Sequence, residues 1–456
     1  MNIIIIGEGK VGFALTEQLS SEGHDIVVID NRQAALRNSA DMQDVRTLQG
    51  NGATADVLLD AGVEKADLVI AVTGTDEMNV MCCMMAKRLG ARHTIARVRN
   101  PEYAKQMYLI NDMLGLSMSV NPESSAAREI SRLIRFPSAT KIDTFVRGRV
   151  EIIELPINKD CPMVNLSLYE IYRKWQIKVL VCAVERENAV YIPNGAFVLR
   201  AGDRINLTGT AENISNFLRA LGMLTKRGRD VMLVGGSRIA YYLAGYLENA
   251  GMSVKIIEQD EKRCMELAEK LPEAEIICGD GTDQELLDEE GMEEADAFVA
   301  LTGIDEENII LSMYAKKRGA KKVIAKVDRL SFLEVLGEGT GIESVISPKA
   351  IATAQIVRYV RAMEQSVGSS MESLSSIVGG KAEAIEFRIG KNAKFTGVPL
   401  KQLRLKENLL IAAVVRKDVP IIPNGDTKME IGDSVIVVTT LKKLHSINDI
   451  FSVGAL

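Results

Sequence analysis

The sequence predicts an α/β fold: two Rossmann-like doubly wound parallel-sheet domains, each followed by a small α+β domain, in a tandem duplication. Three observations carry this expectation. The turn Gly7-x-Gly9-x-x-Gly12 follows an apolar run at residues 3–6 and opens a helical pattern, and a degenerate counterpart, Gly235-Gly-Ser-Arg-Ile-Ala240, opens the second half. The segment from Gly50-Asn-Gly-Ala-Thr to Thr73-Gly74 returns from Gly279-Asp-Gly-Thr-Asp to Thr302-Gly303, and Pro193-Asn194-Gly195 returns as Pro423-Asn424-Gly425. The offset is nearly constant from the pair Gly7 and Gly235, through Gly50 and Gly279, to Gly195 and Gly425, so the duplication extends over nearly the whole chain. No separate catalytic domain is left over, and a binding unit partnered by its own copy points to sensing.

Taken in order, strands are expected at residues 3–6, 26–30, 45–48, 68–72 and 94–98, with helical spacing between them, which reads as a parallel sheet with right-handed crossovers over 1–136. A further helix at 124–134 exceeds what one compact unit needs and is suited to packing against a partner. Residues 140–224 change to strands at 149–155, 179–185, 189–192 and 203–208 with a short helix, a small α+β domain. The second Rossmann-like domain is expected at 229–366 and the second small domain at 381–456, with linkers at 225–230 and 367–380.

Composition narrows the function. With 47% hydrophobic and 25% charged residues the 456-residue chain reads as ordinary globular protein. A net charge of −6 speaks against a nucleic-acid partner, since phosphate neutralisation dominates such binding. No apolar stretch has the length of a spanning helix, and the chain opens on a strand and glycine turn rather than a signal peptide, so a cytosolic location is expected. Six cysteines without metal-ligand spacing read as buried thiols, and three scattered histidines offer no metal site or catalytic triad.

In the first copy Gly7 makes the tight turn, Gly9 lets backbone approach a pyrophosphate, and Gly12 lets helix and strand pack. The helix N-terminus offers N–H groups and partial positive charge to phosphates. Asp30, at the end of the strand that follows this helix, is placed to accept ribose hydroxyls and to repel a 2′-phosphate, favouring NAD(H). Lys10 reaches either terminal phosphates or solvent. Asn51, Ala53, Thr73 and Gly74 follow strands at the ligand-binding edge, and Arg97 pairs either with phosphate or in a structural ion pair. In the second copy Ser237 and Ala240 replace two glycines, and Arg238, Glu258 and Lys326 take the places of Lys10, Asp30 and Arg97. That turn either binds a ligand, holding NADH more weakly than the first or favouring a different adenine nucleotide, or survives for assembly.

The succession of the glycine turn, Asp30, Gly50-Asn-Gly-Ala-Thr, Ala-Val-Thr-Gly-Thr-Asp-Glu-Met-Asn79 and Ile-Ala-Arg97-Val-Arg-Asn-Pro-Glu-Tyr103 resembles the regulator-of-potassium-conductance (RCK) domains. The full duplication with a small domain after each copy resembles the TrkA family, peripheral regulatory subunits of bacterial Trk potassium uptake. The resemblance implies a non-enzymatic homo-oligomeric ring on the cytoplasmic face of the membrane, under a Trk-type membrane potassium-channel subunit. NAD(H), with ATP or ADP as further candidates, would bias its gating. It assigns Gly7, Glu8, Gly9, Lys10, Val11, Asp30, Thr73, Gly74 and Arg97 to a first nucleotide site, and Gly235, Gly236, Ser237, Arg238, Ile239 and Glu258 to a second. It also implies that helices 124–134 and 350–363 pair RCK units. Regulation of another cation channel or an antiporter, and an NAD-dependent oxidoreductase, are the alternative readings.

Overall fold

The computed structural model describes residues 1–40, 45–111, 113–136, 138–223, 230–329, 342, 344–365, 371–390, 393, 395–441, 444 and 446–452. Like pairs with like rather than copy with copy. One compact unit combines Met1–Ser131 with Gly228–Val357, and the other combines Arg132–Arg227 with Arg358–Leu456.

In the first unit the chain runs β1 (Asn2–Ile6), α1 (Lys10–Ser21), β2 (Asp25–Asp30), α2 (Gln33–Ala40), β3 (Val45–Gln49), α3 (Ala55–Asp60), β4 (Leu68–Ala71), α4 (Asp76–Arg88), β5 (His93–Arg97), α5 (Pro101–Ile110), β6 (Met118–Val120) and α6 (Pro122–Arg135). The strands pair in the order β3-β2-β1-β4-β5-β6, all parallel. Ile3 to Ile6 are buried on both faces, as a central parallel strand requires. Because β1 lies between β2 and β4, the carboxyl ends of β1 and β4 form the crevice where such sheets take ligands.

The second copy repeats this plan with β12 (Asp230–Val234), α9 (Arg238–Glu248), β13 (Ser253–Glu258), α10 (Glu261–Lys270), β14 (Glu275–Cys278), α11 (Gln284–Glu289), β15 (Ala297–Ala300), α12 (Asp305–Arg318), β16 (Lys322–Lys326), β17 (Ser344–Ile346) and α13 (Pro348–Gln365), in the order β14-β13-β12-β15-β16-β17. The copies are joined through α6 and its approach: Asn121 Nδ2 donates to Tyr242 Oη at 2.9 Å, Ser124 Oγ lies 2.9 Å from Tyr246 Oη, and Gln355 Nε2 donates to Ser125 Oγ at 2.9 Å. Ala126, Ala127 and Ile130 of α6 and Ala352 and Ile356 of α13 are buried. The helices expected to pair RCK units thus pair the two copies of one chain, and their covered apolar faces give no reason to expect an oligomer through them.

The other unit holds β7 (Lys141–Phe145), β8 (Val150–Pro156), α7 (Leu168–Trp175), β9 (Leu180–Arg186), β10 (Ala189–Tyr191), β11 (Arg204–Gly209) and α8 (Ala211–Ala220), with β18 (Met371–Ile377), β19 (Ala382–Arg388), β20 (Leu409–Arg416), β21 (Val419–Ile421) and β22 (Ser434–Thr439). Its antiparallel sheets, β10-β9-β11-β8-β7 and β18-β19-β22-β20-β21, share a core in which Phe145, Ile152 and Ala183 pack with Ile377, Ala384, Ala413 and Ile436. Buried apolar area shared by both small domains ties them together.

The segment expected as a linker at 367–380 contains β18, paired antiparallel with β19. Its sequence, Met-Glu-Ser-Leu-Ser-Ser-Ile, is serine-rich and reads as a connection, whereas cross-strand bonds and the shared core make it a strand. The short strands β6, β7 and β17 were likewise not anticipated from the sequence. The linker at 225–230 falls, apart from Asp230 in β12, outside the described residues. Among the described residues no helix is long and apolar enough to cross a membrane.

Candidate nucleotide site

Each glycine of the first turn answers to a separate constraint. Gly7 has φ +99°, and a Cβ there would stand 2.8 Å from Thr73 N, so the turn admits no side chain. A Cβ on Gly12 would stand 1.9 Å from the Gly7 carbonyl oxygen, so glycine is what lets α1 lie this close to the turn. At Gly9, the N-cap of α1, nothing lies within 4 Å of the Cβ position and no side chain caps the helix. The positive end of α1 faces open space.

Asp30 closes β2 with its carboxylate anchored by backbone and side chain: Oδ2 accepts the Glu8 N–H at 2.8 Å, and Oδ1 accepts the Arg32 N–H at 2.8 Å and Arg32 Nε at 3.2 Å. Burial opposes ionisation of Asp30, but these bonds from Arg32 and Glu8 outweigh it and hold the carboxyl below its usual range. It is an anionic acceptor at neutral pH.

Across the crevice, Asn79 Oδ1 accepts from Thr73 N at 2.6 Å and Thr73 Oγ1 at 2.7 Å, while Asn79 Nδ2 donates to the Arg97 carbonyl at 2.9 Å. Arg97 Nη2 donates to the Thr73 carbonyl at 2.5 Å, but Arg97 Nε is buried with no partner among the described residues. Burial, then the like charge of Arg99, pulls the Arg97 pKa below its usual value. A half-buried guanidinium with an orphaned N–H is the environment an anionic ligand relieves.

These groups line one cavity of about 970 Å³, at the upper end of ligand-pocket sizes. The structure brings Gly7, Gly9, Lys10, Val11, Asp30, Asn51, Thr73, Gly74 and Arg97 of the first copy to it, together with Ser237, Arg238, Ile239 and Lys326 of the second. Among the described lining residues Lys10, Arg32, Arg97, Arg99, Arg238, Lys326 and Lys349 stand against Asp30, Glu123 and Asp328, a cationic excess suited to a polyphosphate. Arg238 is near enough to Arg97 to depress its pKa further. The two helix N-termini address one space.

Other expected positions do not reach it. Gly12 serves packing alone. The Glu8 side chain turns inward, 5% exposed, and accepts from Thr16 Oγ1 at 3.2 Å and from Ser39 Oγ. Ala53 packs into the apolar core while its N–H donates to Asn51 Oδ1 at 3.0 Å. In the second copy Gly235, φ +101°, makes the tight turn, and Gly236 is walled in by Leu267 and Glu258. Glu258, one methylene longer than Asp30, accepts the Gly236 N–H at 2.6 Å and the Asp260 N–H at 2.9 Å, away from the cavity. Arg263 Nε donates to the Gly236 carbonyl at 2.7 Å, and Ser237 Oγ accepts from Ala240 N at 3.4 Å, capping α9. The cavity therefore spans the first turn from Asp30 to Arg97 and meets the start of α9 and the end of β16 in the second copy, but not Gly235, Gly236 or Glu258.

Sequence reasoning passed over Asn79, Arg32 and the Arg99–Glu123 ion pair, 2.5 Å between Nη2 and Oε1. A signal for Asn79 existed: Thr73 and Asn79 recur in the second copy as Thr302 and Asn308, and Asn308 Oδ1 accepts from Thr302 N at 2.8 Å. Lys326 Nζ, in the register of Arg97, donates to the Thr302 carbonyl at 3.0 Å.

Residues 3–122 and 231–348 match the TrkA-N domain family, and residues 152–222 and 384–452 match the TrkA-C domain family. A Trk system potassium uptake protein TrkA homolog 2 from Methanosarcina mazei is 33% identical over 459 residues, covering 99% of this chain and 100% of the relative. The Trk system potassium uptake protein TrkA of Haemophilus influenzae is 33% identical over 451 residues, 97% of this chain and 96% of that one. Among solved structures, the GsuK channel bound to NAD superposes with a TM-score of 0.64 at 18% identity over 96% of this chain and 76% of that one. The GsuK RCK domain superposes at 0.63, covering 96% and 92%. The chain belongs to the TrkA family of potassium uptake proteins, with an RCK-type unit duplicated inside one polypeptide.

Proposed function

We propose that this protein is a non-enzymatic regulatory subunit of a Trk-type membrane potassium uptake channel, and that NAD(H) or another adenine nucleotide at the first turn biases the channel's gating from the cytoplasmic face. The carrying observation is the shared cavity: a ligand lying on Gly9, Asp30 and Arg97 also meets Arg238 and Lys326 of the other copy. Binding that differs between two arrangements of the copies shifts their equilibrium, and differential affinity of about 1–3 kcal/mol per site suffices for coupling of ordinary size.

The fit to a dinucleotide rests on this chain's own groups. The open, uncapped start of α1 would receive the pyrophosphate, Asp30 the adenosine ribose, and Arg97 a phosphate oxygen. The names of the relatives, Trk system potassium uptake proteins, and the NAD in the GsuK channel structure support the reading, as does a GsuK structure bound to ADP for the adenine nucleotides. Assembly into a ring of copies belongs to it too. Met81 and Met84 on α4 are 50% and 40% exposed, and Ile310 and Met313, their counterparts on α12, are 67% and 39% exposed, so both copies present an apolar face for another copy of this chain. Light scattering that finds a monomer at micromolar concentration removes that part.

The test of the site is titration of the full chain with NADH. Gly9→Val, whose Cβ meets no protein atom within 4 Å, should weaken binding at least about a hundredfold by filling the pyrophosphate path, and Asp30→Ala about tenfold by removing the ribose acceptor, both with near-normal melting. Unchanged titrations for both variants refute the assignment. Copurification with a membrane protein that is not a potassium-uptake subunit would redirect the partner.

A further inference from the structure

We propose that Cys264 and Cys278 form a peroxide-responsive thiol pair that closes reversibly to a disulfide and locks α10 onto β14 beside the second glycine turn. The proposal does not rest on nucleotide binding. Cys264 sits on α10, buried, with its Sγ donating to the Glu258 carbonyl oxygen at 3.2 Å. Cys278 ends β14 directly opposite Glu258 in the parallel pairing with β13, and it is exposed. The N–H of the next residue, Gly279, donates to the same carbonyl at 2.9 Å. The two cysteines thus flank one backbone carbonyl where α10 packs against β14, near enough for the Cys278 thiol to raise the pKa of Cys264. Disulfides bridge Cα atoms roughly 4.4–6.8 Å apart, and closure here brings the α10 thiol onto the end of the strand it packs against.

Exposure divides the chemical roles. Burial pushes the Cys264 thiol up to about 12, so it stays protonated while the solvent-facing Cys278 meets the oxidant. The Cys278 thiolate attacks hydrogen peroxide: an S–O bond forms, the O–O bond breaks and hydroxide leaves. The Cys264 sulfur then attacks the Cys278 sulfenic acid, the S–S bond forms, the S–O bond breaks, and water departs with the thiol proton. Two thiols lose two electrons in all, and one peroxide takes them. Adjacent Cys82 and Cys83 offer no such pair, because both are fully buried and their pKa values are driven upward.

The helix that would be tethered is the one that occupies the second turn. From α10, Arg263 reaches the Gly236 carbonyl, and Leu267 stands against Gly236. A bridge to β14 would hold both in place. The first copy carries Leu36 and Gln49 at the corresponding positions, so its α2 is an internal control.

The test treats the full-length protein with stoichiometric hydrogen peroxide, followed by alkylation and peptide mapping without reduction. The expected result is a Cys264–Cys278 cross-linked peptide, loss of two alkylatable thiols reversed by dithiothreitol, and amide hydrogen exchange in α10 slowed about tenfold with α2 unchanged. Cys278→Ser, an exposed substitution, should abolish both changes. Two thiols still alkylatable after peroxide, Cys278 driven to sulfinic acid beside a free Cys264, or a cross-link without slowed exchange in α10 would each overturn the proposal.

Discussion

At the start of α1 stands Gly9, with no atom within 4 Å of its missing side chain, and at the start of α9 stands Ser237, whose hydroxyl already accepts the Ala240 N–H. Behind the first turn Glu8, Thr16 and Ser39 form a buried polar cluster; the same positions in the second copy are Gly236, Ala244 and Leu267. The second copy exchanged a polar support for apolar packing and a free helix terminus for a capped one. Both changes stabilise a turn by itself and take groups away from a ligand, since a bound anion has to compete with Ser237 for the same N–H. A duplicated site can therefore keep its backbone path in both copies while only one keeps an open helix terminus.

Four tests bear on that contrast, the largest effect first. Gly12→Ala should destabilise the chain by about 3 kcal/mol in denaturant titration, because the new Cβ meets the Gly7 carbonyl, whereas Ala240→Gly should cost only about 0.5–1 kcal/mol. Equal costs would mean that α1 can stand off from its turn as α9 does. Arg97→Met should lower NADH affinity about tenfold or more without lowering the melting temperature, since it removes a half-buried cation whose Nε–H is orphaned. Lys326→Met, on the far side of the cavity, should cost no more than about threefold. Comparable losses from both would make the ligand shared evenly between copies.

Ser237→Gly is the third test: it should cost a few tenths of a kcal/mol in stability, roughly the difference between those two caps. Calorimetry with ADP should then show stronger binding at the second turn, and an unchanged isotherm would place the obstacle at Leu267 and Glu258 instead. Smallest is Glu8→Gln. Burial raises the Glu8 pKa above its usual value, with the Ser39 and Thr16 hydrogen bonds offsetting only part, so its ionised form burdens the folded state as pH rises through that pKa. The variant should melt a few tenths of a degree higher at pH 7, with the gain vanishing below about pH 4. A gain that persists in acid would assign the effect to packing.

Much of this was legible in the sequence because it is local. Gly7 and Gly12 are dictated by φ and by contact within one turn, and Asp30 by the end of one strand, so spacing sufficed to find them. Glu8 was misjudged as a ligand contact because its direction depends on Thr16 and Ser39, which a motif does not contain. Glu258 matched Asp30 by position and accepts the equivalent two backbone N–H groups, of Gly236 and Asp260, yet it does not line the cavity that Asp30 lines. Asn79 was in view within the repeated segment; its bracing of Thr73 against Arg97 appears only once β4 and β5 lie side by side.

By itself the sequence determined the duplication, the parallel-sheet domains and the tight glycine turn that opens each copy, since hydrophobic period, glycine spacing and repeat offset are properties of short stretches. Only the tertiary structure decided that the Rossmann-like halves pair with each other and the small domains with each other, that β18 is a strand, and that Arg238 faces the cavity of the other copy. Those outcomes turn on which apolar faces bury one another between segments far apart in the chain. Burial of that kind has no period, and no single segment encodes it.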